Sequence, residues 1–288
     1  MSTPVGSGDG GALADILRAE AGVARADVRL WSAFGRVLLD WRTILILVVL
    51  LGAWELYVDL GGVDTVILPA PHQIAQSLYD DRSLLWSNFL VTAQEIVFGI
   101  LVAASLALTL AISVHLSPTL RRAVYPLLVA SQTIPIVLFA PLLVLWLGFG
   151  LIPKLIVITV VCFFPIVVTT LDGLAAVDPD LLKLMRTFDA SRARTFRHVE
   201  FPAALPGLFT GMKIAVVVAP IGAVFAEQSG SNSGLGYVVA QAIPNLLTAR
   251  AYAAVFILSA FAITLFALLT LAERLLLPWA YQPRGDNP

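Results

Sequence analysis

Asp178 to Pro206 reads DPDLLKLMRTFDASRARTFRHVEFPAALP, a strongly charged interruption in an otherwise apolar second half. Asp178 before Pro179 is a helix start: the carboxylate accepts from free backbone N–H groups and proline has none to leave unpaired. Leu181, Leu184, Met185 and Phe188 recur at helical spacing and form a short apolar face. Asp189, Ala190 and Ser191 break that helix. Ser191 then caps a second helix carrying Arg192, Arg194 and Arg197, which is expected to end before Pro202 and Pro206. A helix, a turn and a helix, basic on one side and apolar on the other, suit docking into a partner's groove. A plain basic loop beside a membrane is the competing reading.

Composition decides the surroundings of that segment. Apolar residues make up 59% of 288 and charged residues 13%, with a mean hydropathy of +0.89. That balance belongs to polytopic membrane proteins, because a soluble chain of this size needs more polar surface. The single cysteine, Cys162, lies in an apolar run, which excludes an intrachain disulfide and a thiolate cluster. His72, His115 and His198 show no ligand spacing, so no metal site is expected.

With the spacing on the page, the stretch resembles the cytoplasmic motif of binding-protein-dependent ABC importer permeases. That pattern is Glu-Ala-Ala, three residues, Gly, nine residues, then Ile-x-Leu-Pro. Asp189 takes the glycine place, and Val199, Glu200, Phe201 and Pro202 take the Ile-x-Leu-Pro places with the spacing intact. Lys183, Leu184 and Met185 replace Glu-Ala-Ala, so Lys183 reverses a charge. The text RTFDASRARTFRHVEFPAALPGLFTGMKIA, continued by AEQSGSNSGLGYVVAQA (Ala226 to Ala242) and ERLLLPW (Glu273 to Trp279), is similar to permeases of the sulfonate, taurine, nitrate and thiamine-precursor branch. The likeness covers about Leu68 to Trp279. Asp is among the few residues that replace glycine at positive φ without large cost.

The chain divides into a tail (residues 1–40), a transmembrane region (41–280) containing the coupling loop 173–208, and a short tail (281–288). The first eleven residues are Gly- and Ser-rich and expected to be disordered. Residues 12–39 alternate apolar and basic positions, as a surface-lying amphipathic helix or a solvated one would. Six spans are expected, near 43–58, 89–114, 123–147, 155–171, 209–226 and 251–272. With both termini in the cytoplasm, fifteen of the eighteen basic residues fall inside, and Arg82, Lys154 and Arg250 outside. Ile67 to Asp81 reads as an outer turn and a short helix. The outer segment Glu227 to Arg250, rich in Ser and Gly around Gly234, reads as a re-entrant or closely packed element that forms part of an outer gate or a docking surface for a solute-binding protein, or as an ordinary flexible loop.

Polar residues inside spans are the candidates for a translocation route. Glu95, Gln132 and Thr133 lie in spans, and Glu227 and Gly234 border the outer segment. Glu95 stands as the only acid well inside a long span, with no paired acid on an adjacent face; reaching the headgroups is its alternative. Pro135, Pro141, Pro165 and Pro220 interrupt backbone ladders and either kink moving helices or fix the bundle's shape. No lysine follows a glycine, so the chain has no phosphate-binding Gly-x-x-x-x-Gly-Lys-Ser/Thr loop, and no protease or hydrolase motif is present.

The expectation is an all-α membrane protein of six transmembrane helices, similar to the type I ABC importer permease bundle. As the resemblance implies, it is a non-enzymatic permease subunit of the bacterial inner membrane that binds no cofactor. A separate pair of ATPase subunits uses ATP and magnesium, a second permease copy completes the pore, and an extracytoplasmic binding protein delivers a small solute. No nucleic acid is involved. Met185, Arg186, Phe188, Asp189, Ala190, Ser191, Arg194, Phe196 and Pro202 are the expected coupling residues. A stand-alone secondary transporter or channel is the alternative.

Overall fold

The computed structural model describes residues 41–131, 133 and 135–281. The expected tail helix in residues 12–39, the start of the chain, Gln132 and the tail beyond residue 281 lie outside the described residues. The described residues are helical, with no strand among them.

Of the first unit, residues 41–62 are described. Its helix, α1 (Trp41–Leu60), is about 30 Å long, enough to cross a bilayer. The unbroken apolar run Ile44 to Leu51 is exposed along it, which in lipid is the favourable state.

The second unit begins at residue 63. It contains α2 (Pro71–Asp80), α3 (Arg82–Leu116), α4 (Pro118–Ser131), a 3-10 turn (Ile136–Phe139), α5 (Ala140–Leu147), α6 (Leu151–Ala175), α7 (Pro179–Thr187), α8 (Arg192–Thr195), a π turn (Phe196–Glu200), α9 (Phe201–Gly230), α10 (Leu235–Ala242), α11 (Thr248–Leu276) and a closing 3-10 turn (Pro278–Tyr281). Helix α6 lies at the centre, packed along α3 on one side and α9 on the other, and α11 packs on α9, α10 and α2.

Apolar side chains gain nothing by leaving lipid for protein, so helices in a membrane associate through close fit. On α3 the buried face runs Leu85, Asn88, Thr92, Glu95, Gly99, Ala103, Ala107, Ala111 and Val114, a stripe at three- and four-residue spacing that is polar at one end and small along the rest. On α9, Gly211, Ala215, Ala219 and Ala223 do the same against α6. A Cβ on Gly211 would sit 2.6 Å from Ile166 Cα and 2.9 Å from the Pro165 carbonyl oxygen. Cys162 is buried in this seam, its thiol pointing at the Ala215 carbonyl at 3.6 Å, and serves as packing.

Among the described residues, five helices are long and apolar enough to cross a membrane. The third expected span, 123–147, is instead two α-helices, α4 and α5, with a 3-10 turn that follows Pro135 leading into the second. Pro135 supplies no N–H and disfavours helix at the residue before it, whereas Pro141 sits in the first turn of α5, where an N–H is not needed. Pro165 and Pro220 leave their helices continuous.

The helix beginning at Arg192 does not stop before Pro202 and Pro206, contrary to expectation. It passes through the π turn, where the Phe201 N–H reaches back to the Phe196 carbonyl, and continues as α9 to Gly230. The wider turn directly precedes Pro202, where the missing N–H already interrupts the ladder. The outer segment is likewise no flexible loop: it contains α10, with Leu235, Gly236, Val238 and Ala242 buried.

The α6–α9 seam yields a direct test. Gly211→Ala should destabilise the purified protein by about 1–3 kcal/mol, because the added methyl meets backbone that cannot move aside. Gly52→Ala, with open space around it, should leave the melting temperature in detergent unchanged. Equal melting of the two variants would show that the seam is not close-packed.

Candidate functional site

At the end of the bundle where α6 begins and α9 finishes, α3, α6, α9 and the start of α10 enclose a polar cluster. Glu95 is 2% exposed, Lys154 6% and Glu227 1%. Lys154 Nζ donates to Glu95 Oε1 at 2.6 Å. On the other side, Glu227 Oε1 accepts from Thr92 Oγ1 at 2.6 Å, and Oε2 accepts from the Gly236 N–H. Thr92 Oγ1 in turn accepts from the Leu235 N–H at 2.8 Å, and Asn88 Oδ1 from the Gly234 N–H at 2.7 Å.

Three successive N–H groups at the start of α10 are thus taken up by side chains from α3 and α9. An N-terminal turn leaves such donors without helical partners, and in a membrane interior no bulk water replaces them. The local sequence fits this purpose. Gly234 adopts φ +109°, and the Glu227 carboxyl occupies the space a Cβ there would need. A Cβ on Gly236 would lie 2.8 Å from Val224 Cα. Ser231 turns the chain ahead of them, its hydroxyl donating to the Ser233 carbonyl at 2.6 Å.

Beside this cluster, α2 is fastened to α11. Arg250 Nε and Nη2 donate to the two oxygens of Asp81 at 2.8 and 2.7 Å, and Ser77 Oγ donates to the same carboxylate at 2.9 Å. The Arg250 hydrogen bonds hold the Asp81 carboxyl below the usual carboxylate range, against the opposing pull of partial burial.

About 30 Å away along α6 is the basic segment. Asp178 caps α7, accepting from the Asp180 N–H at 2.8 Å, and Ser191 caps α8, accepting from the Arg194 N–H at 3.4 Å. Between them Asp189 has φ +51°, the left-handed conformation a glycine would take freely. Leu181, Leu184 and Phe188 are exposed, Phe188 by 72%, and Arg186, Asp189, Ser191 and Arg194 are exposed beside them. Met185, Ala190, Phe196 and Pro202 are half-buried. The Phe196 ring packs near His115 and Phe201, with centroids at 6.3 and 6.0 Å, while His115 Nε2 meets Glu200 Oε2 at 3.0 Å. Phe196 therefore holds the π turn to α3.

Of the residues picked from sequence for a path or gate, Glu95, Glu227 and Gly234 meet in one cluster. Thr133 is exposed, its hydroxyl donating to the Ala130 carbonyl, and Gln132 lies outside the described residues. Two expectations are corrected. Glu95 does have a second acid on a neighbouring helix, Glu227, and Lys154 is not an outer-loop charge but a buried partner of Glu95. Asn88, Thr92 and Gly236 were missed. The signal was present: Asn88, Thr92 and Glu95 fall at i, i+4 and i+7 and share one face of an apolar helix.

Residues 95–280 match the family of binding-protein-dependent transport system inner membrane components. The chain is 37% identical over 225 residues to a "probable ABC transporter permease protein" of Haemophilus influenzae, covering 78% of this chain and 92% of that one. It is 36% identical over 236 residues to the formylaminopyrimidine transport permease protein ThiX of Halalkalibacterium halodurans, covering 82% and 94%. Among solved structures, a chain of the inward-facing MetNI methionine ABC transporter superposes with a TM-score of 0.56 at 17% identity, over 70% of this chain and 98% of that one.

Thr92→Val keeps the shape of the side chain but removes both the donor to Glu227 and the acceptor for Leu235. The expected loss is about 1–3 kcal/mol for each group left unpaired, read as a lower melting temperature together with thiol labelling of a Ser233→Cys reporter that speeds up in the Thr92→Val background. The Asp81–Arg250 pair has its own signature. Because the folded carboxyl titrates below its unfolded value, its stabilisation is complete above the ordinary carboxylate range and is lost as pH falls through the lowered value. The melting-temperature gap between wild type and Asp81→Asn should therefore be largest near neutral pH and close in acid.

Proposed function

The chain belongs to the family of binding-protein-dependent transport system inner membrane components, the permease of an ABC importer and not its ATP-hydrolysing subunit, and we propose that it carries a small organic solute by docking a separate ATPase on Asp178–Pro206. The observation that carries this reading is the uncovered apolar face of α7. Leu181, Leu184 and Phe188 stand exposed beside Lys183 and Arg186, with Arg192, Arg194 and Arg197 exposed on the following turns. The positive-inside bias assigns this face to the cytoplasm. Apolar anchors ringed by cations fit a groove that is apolar at its floor and acidic at its rim.

In this reading two permease copies form the pore, and two ATPases, using ATP and magnesium, close on the α7 faces. The push passes through the Asp189–Ala190 turn into α8 and the π turn, and so into α9, whose far end carries Glu227. The binding protein approaches the opposite face, near the polar hollow of about 410 Å³ lined by Gln73, Gln76, Asp80, Asp81 and Arg250.

For the solute we favour a neutral heteroaromatic compound of the formylaminopyrimidine kind over a sulfonate or nitrate. Similarity to the ThiX permease supports this choice, as does the charge inside the spans. The buried Lys154 and the half-buried Lys213 there already face glutamates, Lys154 to Glu95 at 2.6 Å and Lys213 to Glu273 at 2.8 Å. An anion crossing between these helices would compete with those carboxylates for its counter-charge.

The test is to tag the full chain, extract it gently from its own membranes and identify what co-purifies. An ATP-hydrolysing subunit should accompany wild type and be lost from Phe188→Asp, which leaves the fold intact because Phe188 packs on little. Phe196→Asp should instead lower the yield of folded chain. A folded wild-type chain that purifies without any ATPase and moves solute in liposomes under an ion gradient would overturn the reading in favour of a secondary transporter.

A further inference from the structure

Counting donors and acceptors in the buried cluster leaves it one hydrogen short. Glu227 uses Oε1 to accept from Thr92 and Oε2 to accept from Gly236. Glu95 Oε1 accepts from Lys154, and Glu95 Oε2 is enclosed with no donor directed at it. Thr92, which donates to Glu227, stands one turn from Glu95 on the same buried face of α3, so the two acids share one enclosure. Two ionised carboxylates offer only acceptors and cannot bond. A hydrogen placed between them supplies the missing donor, and whichever carboxyl carries it, every oxygen of the pair is then satisfied.

Charge counting leads to the same place. From α3 the cluster receives Asn88, Thr92 and Glu95, from α6 Lys154, from α9 Glu227, and from the turn into α10 only backbone N–H groups. Two acids therefore face one base. An uncompensated charge so deeply enclosed costs several kcal/mol, and one proton cancels it.

We propose that Glu95 and Glu227 bind a single proton between their carboxyl groups, so that the Glu95–Lys154–Glu227 triad is neutral and the turn at Gly234–Gly236 is seated on a protonated acid pair. Loss of that proton sets two like charges against each other directly beneath the turn, so seating of α10 and occupancy of the proton site are linked. The site is assigned independently of the solute carried and of the ATPase.

The test uses the full chain in lipid nanodiscs, with glutamate carboxyls labelled with carbon-13 so that only the six glutamates contribute. Infrared spectra near neutral pH should show a protonated-carboxyl C=O stretch that shifts in heavy water. It should disappear in Glu227→Gln, where the amide supplies a permanent donor to Glu95, and in Glu95→Gln, where it does so for Glu227. Thiol labelling of Ser233→Cys in the wild-type background should accelerate at the alkaline pH where the band is lost. Absence of the band from wild type overturns the proposal without recourse to any variant. Persistence of the band in both variants overturns it as well, since the proton then belongs to another glutamate.

Discussion

The structure of the second unit depends on one demand: the N–H groups that open α10 must find acceptors in a place where water does not reach. Asn88, Thr92 and Glu227 meet it. Each is itself costly to bury, so each is tied to a further group: Asn88 donates to the Leu84 carbonyl, Thr92 to Glu227, and the Glu95–Lys154 pair closes the enclosure beside them. Four helical segments are brought into register by these bonds. Apolar packing alone specifies much less, since a helix face of Leu and Val meets lipid as readily as protein.

Small residues complete what the polar bonds begin. The alanines of α3 and α9, with Gly99, Gly207 and Gly211, let the backbones of α3, α6 and α9 come close over their whole length. Dispersion contacts are weak singly and add up only when surfaces fit. The large apolar side chains are turned the other way: Phe98, Leu101, Leu106, Val217 and Ile221 are all exposed, which is where a bilayer would meet them.

The fold was legible in sequence to a large extent, because a membrane imposes lengths and apolarity that show directly in the text. The long helices, the short helix at Pro71–Asp80, the caps at Asp178 and Ser191 and the left-handed turn at Asp189 all follow from local chemistry. Helix continuity was not legible. Pro202 and Pro206 look like stops, yet a π turn and a first-turn position accommodate Pro202, and Pro206 sits inside α9; Pro135 looks like a kink and lies where the third expected span is broken. The cluster was half legible. Glu95 and Glu227 stand out as acids near apolar text, but nothing local says that residues 132 apart in sequence meet, or that Lys154, just after a Gly-rich link, turns inward. The half-burial of Phe196 was not legible for a similar reason: it is decided by His115 and Phe201, which are remote or unremarkable in the text.

The unbroken run from Arg192 to Gly230 has a mechanical meaning. At 1.5 Å per residue its 39 residues make an arm about 58 Å long. A stiff arm pivoting near its middle converts a tilt of about 5° into opposite displacements of roughly 2–3 Å at its two tips. One tip is the π turn behind the basic face; the other is Glu227 under the α10 turn. A break at Pro202 would have absorbed such a tilt as local bending. The π turn keeps the arm in one piece, so a small movement imposed at one membrane face arrives at the other with its direction reversed and its size nearly conserved.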